Sequence, residues 1–205
     1  DVSAQLLRTG FRPENMRTLA VDAAPPVLET TPRNLAAGLV ETSRRARDGC
    51  LLYLTSHGAP QGIVFGRSEQ GRSNLPPDAL ARLLDRTCGR RPTVVMVSAC
   101  FSGVYVPALS APNRLILTAA RPDRTSFGCG EDDVYPFFDA CVLESWPGAR
   151  DFLALGSAVR TCVARRETQL GLRPPSEPQM SVGSGIRPLL PLLTLPGAKT
   201  PARAG

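Results

Sequence analysis

The sequence predicts an α/β fold, a three-layer α/β/α sandwich around a mainly parallel sheet. Three short apolar runs, CLLYLT at residues 50–55, TVVMV at 93–97 and RLILT at 114–118, read as strands buried on both faces. Stretches with helical apolar spacing separate and follow them, and such alternation indicates a parallel sheet with helices on both sides. A chain of 205 residues, 42% hydrophobic and 20% charged, can bury that core as one domain.

Taken in order, Val2, Leu6, Leu7 and Phe11 follow helical spacing, with Gly10 as a stop. Residues 16–21 alternate loosely as a strand, and residues 22–32, with Pro25, Pro26 and Pro32, read as a loop. Asn34 can cap a helix over 34–47 that places Leu35, Leu39 and Val40 on one face and Arg44, Arg45 and Arg47 in water. After the first buried strand, residues 62–65 form an arm of a small hairpin. Pro76 and Pro77 open a helix reaching Gly89 through Leu80, Leu83 and Leu84. Helical stretches over 135–144 and 151–169 follow the third strand, with Trp146 between them as a core residue or loop anchor. Residues 180–186 can form an edge strand. The last 32 residues contain seven prolines, so 1–186 is expected to be the domain and 187–205 an irregular Pro-rich tail.

Composition narrows the function classes. The net charge is +6, yet only Lys199 of the 24 basic residues is lysine, the arginines are scattered, and aromatics make up 5%. Nucleic-acid binding relies on a basic stripe and stacking platforms, so no nucleic-acid partner is expected. No apolar run approaches the ~20 residues that span a bilayer. The first residues carry neither the basic nor the apolar region of a signal peptide, and the chain reads as a processed or truncated product. The compartment stays open; an upstream signal would make it periplasmic or secreted. Six cysteines, at 50, 88, 100, 129, 141 and 162, include no CxxC pair, and the single histidine argues against a zinc site. Most are expected as buried thiols, with one reactive nucleophile among them, although Cys129 and Cys141 could pair with each other or with Cys162. Glu131-Asp132-Asp133 reads as a solvated acidic loop.

The chemistry concentrates at two strand ends. CLLYLT runs into Ser56-His57-Gly58, and TVVMV runs into Ser98-Ala99-Cys100-Phe101-Ser102-Gly103. Sites of parallel sheets form beyond the carboxyl ends of strands, so an imidazole and a thiol 43 residues apart share one rim. A thiol needs a base to act as a nucleophile, and histidine is the usual one. Gly58 lets a substrate approach the backbone closely, and the amides of Gly58 and Cys100 are candidates for an oxyanion hole.

The blocks LYLTSHG and VSACFSG together resemble the legumain family of cysteine peptidases, relatives of caspases and of the glycosylphosphatidylinositol-anchor transamidase subunit. Thr118-Ala119-Ala120 with Asp123-Arg124-Thr125-Ser126-Phe127-Gly128-Cys129 extends the resemblance, and Ser176-Glu177-Pro178-Gln179-Met180 is similar to bacterial members. The resemblance implies a caspase-like fold and a cysteine endopeptidase needing no metal or organic cofactor. His57 corresponds to the catalytic imidazole, Cys100 to the nucleophile and Gly58 to the oxyanion-hole glycine. Thr125 and Ser126 fall where the family lines its primary specificity pocket. It leaves two other outcomes open, a transamidase of the same fold and a non-catalytic binding relative.

The departures bear on specificity and on the sheet. Ser98 stands where legumains carry a pocket glutamate, the family's second pocket acid aligns near Phe138, and its basic pocket residue would precede Asp1. Strong preference for asparagine is therefore not expected. The resemblance also places the family's leading strand, the inner neighbour of the His-bearing strand, before Asp1.

Overall fold

The computed structural model describes residues 1–45, 48–68, 71–130 and 133–195. Arg47, Glu131 and Asp132 lie outside the described residues. In chain order the elements are α1 (Val2–Arg8), β1 (Leu19–Ala20), β2 (Leu28–Glu29), α2 (Pro32–Arg45), β3 (Cys50–Thr55), β4 (Gly58–Ala59), β5 (Gly62–Ser68) and β6 (Gly71–Leu75). There follow α3 (Pro77–Thr87), β7 (Thr93–Ser98), α4 (Tyr105–Leu109), β8 (Arg114–Thr118), α5 (Phe137–Ser145), α6 (Phe152–Gln169) and β9 (Gln179–Val182).

The central sheet has the order β3-β7-β8-β9; the first three strands are parallel and β9 runs antiparallel on β8. The three apolar runs are the three parallel strands, as their continuous hydrophobicity predicts. Every residue of β7 and β8 is buried, and full burial of one such aliphatic side chain stabilises by about 1.5–3 kcal/mol. Alternation along the strands then divides the core. Val94, Met96, Leu115 and Leu117 pack with Phe138 and Val142 of α5 and with Leu155 and Val159 of α6. Val95, Val97 and Ile116 pack on the other side with Leu35 and Leu39 of α2 and Leu80 and Leu84 of α3. Trp146 is 1% exposed in the first of these layers, edge-on to Phe152.

Among the described residues β3 pairs only with β7, so its other edge is open although helices cover both its faces. The hairpin beyond β3 is larger than its sequence suggests: β4, β5 and β6 form a separate antiparallel sheet. Buried Tyr105 anchors it, donating to the Leu75 carbonyl and accepting from the Ile63 amide at 3.0 Å, and burial pushes its phenol up to about 12.

Several local expectations are corrected. The strand expected over 16–21 is only Leu19–Ala20, paired in parallel with Leu28–Glu29 inside the segment read as a loop. Helix α2 starts at Pro32, and Thr31, whose Oγ1 accepts from the Asn34 amide at 3.1 Å, supplies the cap expected from Asn34. The segment from residue 187, expected to be irregular, forms a 3-10 turn over Arg187–Leu192 and packs on the core through Ile186, Leu190 and Leu195. The Leu195 amide donates to the Arg150 carbonyl at 3.0 Å, securing that closure.

Two disulfides form: Cys50 and Cys88, expected as thiols, pair with each other, and Cys141 takes Cys162, one of the pairings left open for it. Cys50 at the start of β3 bonds Cys88 at the end of α3, and Cys141 of α5 bonds Cys162 of α6. Packing sets their Cα atoms 6.1 and 5.7 Å apart, inside the range a disulfide spans, and no sequence spacing announces this. Cys100 and Cys129 are the free thiols. Ellman titration of the folded, unreduced protein should find two thiols, with peptide mapping joining Cys50 to Cys88 and Cys141 to Cys162. Loops of 38 and 21 residues make the bridges worth about 3–4 kcal/mol each, which denaturant unfolding with and without reductant measures. Four or more free thiols in the native protein would contradict the pairing.

Candidate active site

Strands β3 and β7 run parallel in strict register, and the last pair is Thr55 beside Ser98. The Ser56 amide continues the ladder, donating to the Ser98 carbonyl at 3.1 Å. The chains that leave these strands therefore start side by side. At Gly58 and Cys100 they touch: a Cβ added to Gly58 would lie 2.0 Å from the Cys100 carbonyl oxygen and 3.0 Å from the Ala99 Cβ. Only glycine permits this contact, which seats the His57 and Cys100 backbones on one rim.

Cys100 is half-buried and its sulfur is oriented by the loop after β8. The Ser126 amide donates to Sγ at 3.3 Å, and the thiol lies 3.6 Å from the Ser126 carbonyl oxygen. Three further contacts hold this loop on the Cys100 turn. Phe101, at φ 58°, donates its amide to the Arg124 carbonyl at 2.8 Å, and Ser102 Oγ accepts from the Ala120 amide at 3.1 Å. Gly103 sits so close to Pro122 that a Cβ would meet its nitrogen at 2.5 Å.

His57 is exposed, and its imidazole engages no protein partner among the described residues. The Cys100 amide donates to no described acceptor. The Val64 amide bonds the His57 carbonyl at 2.8 Å, so Gly58 and Ile63 form a non-bonded pair of the antiparallel ladder and the Gly58 amide stays out of it. Of the expected pocket residues, Ser98 is 2% exposed, Ser126 is half-buried against the sulfur and Thr125 is exposed on the same loop.

The sequence reading missed Asp139. Phe138 was expected to stand in place of the family's second pocket acid, but Phe138 is fully buried in the core. Asp139, one residue on, points instead at β3: Oδ1 accepts from the Tyr53 hydroxyl and Oδ2 from Thr55 Oγ1 at 2.6 Å. Burial first, then the Asp139 charge, raise the Tyr53 phenol well above its usual range, so it remains the donor. A lone acid in the apolar run FFDACV was the available signal. Cys129 is also near: burial first, then the charges of Cys100, Asp139 and Asp133, push its thiol up.

Cys141, Glu144 and Cys162 have metal-ligand spacing, but the disulfide engages both sulfurs. Shallow hollows on the α5–α6 face, lined by Phe137, Glu144, Arg165 and Arg166 among others, include neither strand end. No helix among the described residues is long and apolar enough to cross a membrane.

Comparisons place this architecture among known proteins. Caspase-1 from Spodoptera frugiperda superposes with a TM-score of 0.60 at 17% identity, covering 88% of this chain and 75% of that one. Its pro-form gives 0.51 at 16%, covering 76% and 73%. A protein from Geobacter sulfurreducens gives 0.62 at 15%, covering 93% and 84%. These likenesses establish the caspase-like fold. No curated protein matches. The model of the Peptidase C13 family matches residues 26–151, which contain both strand ends and most of the chain. The chain belongs to the Peptidase C13 family, the legumain family of cysteine peptidases.

Proposed function

We propose that this protein hydrolyses peptide bonds as a cysteine endopeptidase, with Cys100 as nucleophile and His57 as acid–base. The observation that carries the reading is the contact of the Gly58 and Cys100 backbones at the paired ends of β3 and β7. It brings an exposed imidazole and a half-buried thiol to the same rim within a family of cysteine peptidases.

The mechanism follows from those groups. His57 takes the Cys100 proton, and the sulfur attacks the scissile carbonyl, whose carbon–oxygen electron pair moves onto the oxygen. The Gly58 and Cys100 amides, not committed to protein acceptors, stabilise that oxyanion, a contribution of typically about 3–4 kcal/mol per donor. His57 returns the proton to the leaving amine as the carbon–nitrogen bond breaks, and water then resolves the thioester. No step calls for a cofactor. Ser98, Thr125 and Ser126 line the substrate site in this reading, and its hydroxyls lack the charge pattern that reads an asparagine carboxamide. Adding an amine nucleophile and analysing products distinguishes hydrolysis from transamidation.

Two substitutions test the assignment. Cys100→Ala and His57→Ala should each abolish turnover of a fluorogenic peptide library, while circular dichroism stays that of the parent. A peptidyl electrophile should add its mass at Cys100 and spare Cys129; appreciable turnover by Cys100→Ala would overturn the nucleophile. Gly58→Ala tests the rim itself, because its Cβ would collide with backbone that cannot yield. It should lose about 2–4 kcal/mol of stability, transition-state stabilisation or both, read from unfolding and from kcat/KM. Parent-like values for both would contradict the contact.

A further inference from the structure

The nucleophile of the proposed reaction is steered by a segment outside its own strand. Among the described residues the Cys100 sulfur meets two polar partners, the Ser126 amide at 3.3 Å and the Ser126 carbonyl oxygen at 3.6 Å. A cysteine side chain has three staggered rotamers, and a partner on one side selects among them. The direction of Sγ therefore depends on where the segment over 120–126 sits.

Two buried side chains fix that segment where it leaves β8. The ladder ends with the Ala119 amide, which donates to the Val97 carbonyl at 2.9 Å. The next two amides are taken up from either side of β8. From the β7 side, Ser102, 1% exposed, accepts from the Ala120 amide at 3.1 Å through Oγ. From the lead into β9, the Ser176 carbonyl accepts from the Arg121 amide at 2.9 Å. Ser176 is in turn held by Glu167 of α6: its amide lies 3.2 Å from each carboxylate oxygen, and its hydroxyl donates to Oε1. Glu167 is 3% exposed, and hydrogen bonds to an ionised group are roughly twice as strong as neutral ones. Phe101 meets Arg124 through backbone, and Gly103 meets Pro122 without a side chain. Ser102 and Glu167 are thus the side chains through which this grip can be loosened without altering a group that reacts.

We infer that Ser102 and Glu167 are positioning residues of the peptidase reaction, seating the segment over 120–126 so that the Ser126 backbone aims the Cys100 sulfur at the scissile carbonyl. The inference rests on the peptidase reading above. A misplacement of about 1 Å at a reacting atom lowers a rate roughly 100-fold, so a loosened segment slows the chemical step.

The test uses the full chain, the fluorogenic peptide that the parent turns over best, and a peptidyl electrophile that counts competent sites by the mass it adds at Cys100. Ser102→Ala removes one grip, and Glu167→Gln keeps the shape of the other while leaving a single accepting oxygen. Per labelled site, kcat should fall roughly 10- to 100-fold in Ser102→Ala and about 10-fold in Glu167→Gln. In both, the Ser126 amide resonance should move toward its position in Cys100→Ala. Counting sites removes any loss of folded protein, so a purely structural role leaves kcat at the parental value. Parental kcat per site in either folded variant, a rise in KM alone, or an unmoved Ser126 resonance would overturn the inference for that residue while labelled Cys100 upholds the nucleophile. Failure of every electrophile to label Cys100 in the parent would overturn both.

Discussion

The site depends on the in-register parallel pairing of β3 with β7. Because Thr55 lies beside Ser98, the two strands end at the same level, and the chain must place whatever follows them on a common rim. A slip of one residue would move Cys100 relative to His57 by about 3.3 Å and exchange the faces of every side chain in β7. The hydrophobic layers oppose such a slip, since Val94 and Met96 fill one side of the sheet and Val95 and Val97 the other. The geometry of the candidate site and the core packing are thus set by the same register.

Close backbone approach completes what register begins. Gly58 against Cys100 and Gly103 against Pro122 remove side chains where two loops must touch, and the Ser126 amide then directs the sulfur. Asp139 contributes from below, joining α5 to the end of β3 through two hydroxyls. The disulfides lie away from this rim: one ties the start of β3 to α3, the other ties α5 to α6. They secure the elements that carry the site without entering it.

The parallel strands were legible because strands buried on both faces must be apolar throughout, and both site residues follow such runs directly. The disulfides were legible only in part, Cys141 with Cys162 as one open pairing among several and Cys50 with Cys88 not at all, because their partners stand 21 and 38 residues apart and meet only through helix packing. The segment over 187–195 was misread for a similar reason. Its prolines argue against regular structure, but Leu190 and Leu195 need only a surface to pack on, which α5, α6 and the sheet provide. Asp139 shows how far one residue matters in a helix. A step of about 100° turns the side chain from the core, where Phe138 sits, to the hydroxyls of β3.

The most direct test of the shared rim is a crystal structure of the protein covalently bound to a peptidyl ketone inhibitor. The account predicts a bond from Cys100 Sγ to the former carbonyl carbon. The inhibitor oxygen should lie about 2.7–3.1 Å from the Gly58 and Cys100 amides, with the His57 ring on the leaving-group side. An adduct on Cys100 whose oxygen points away from both amides, or an imidazole turned out of reach of the reacting centre, would contradict it.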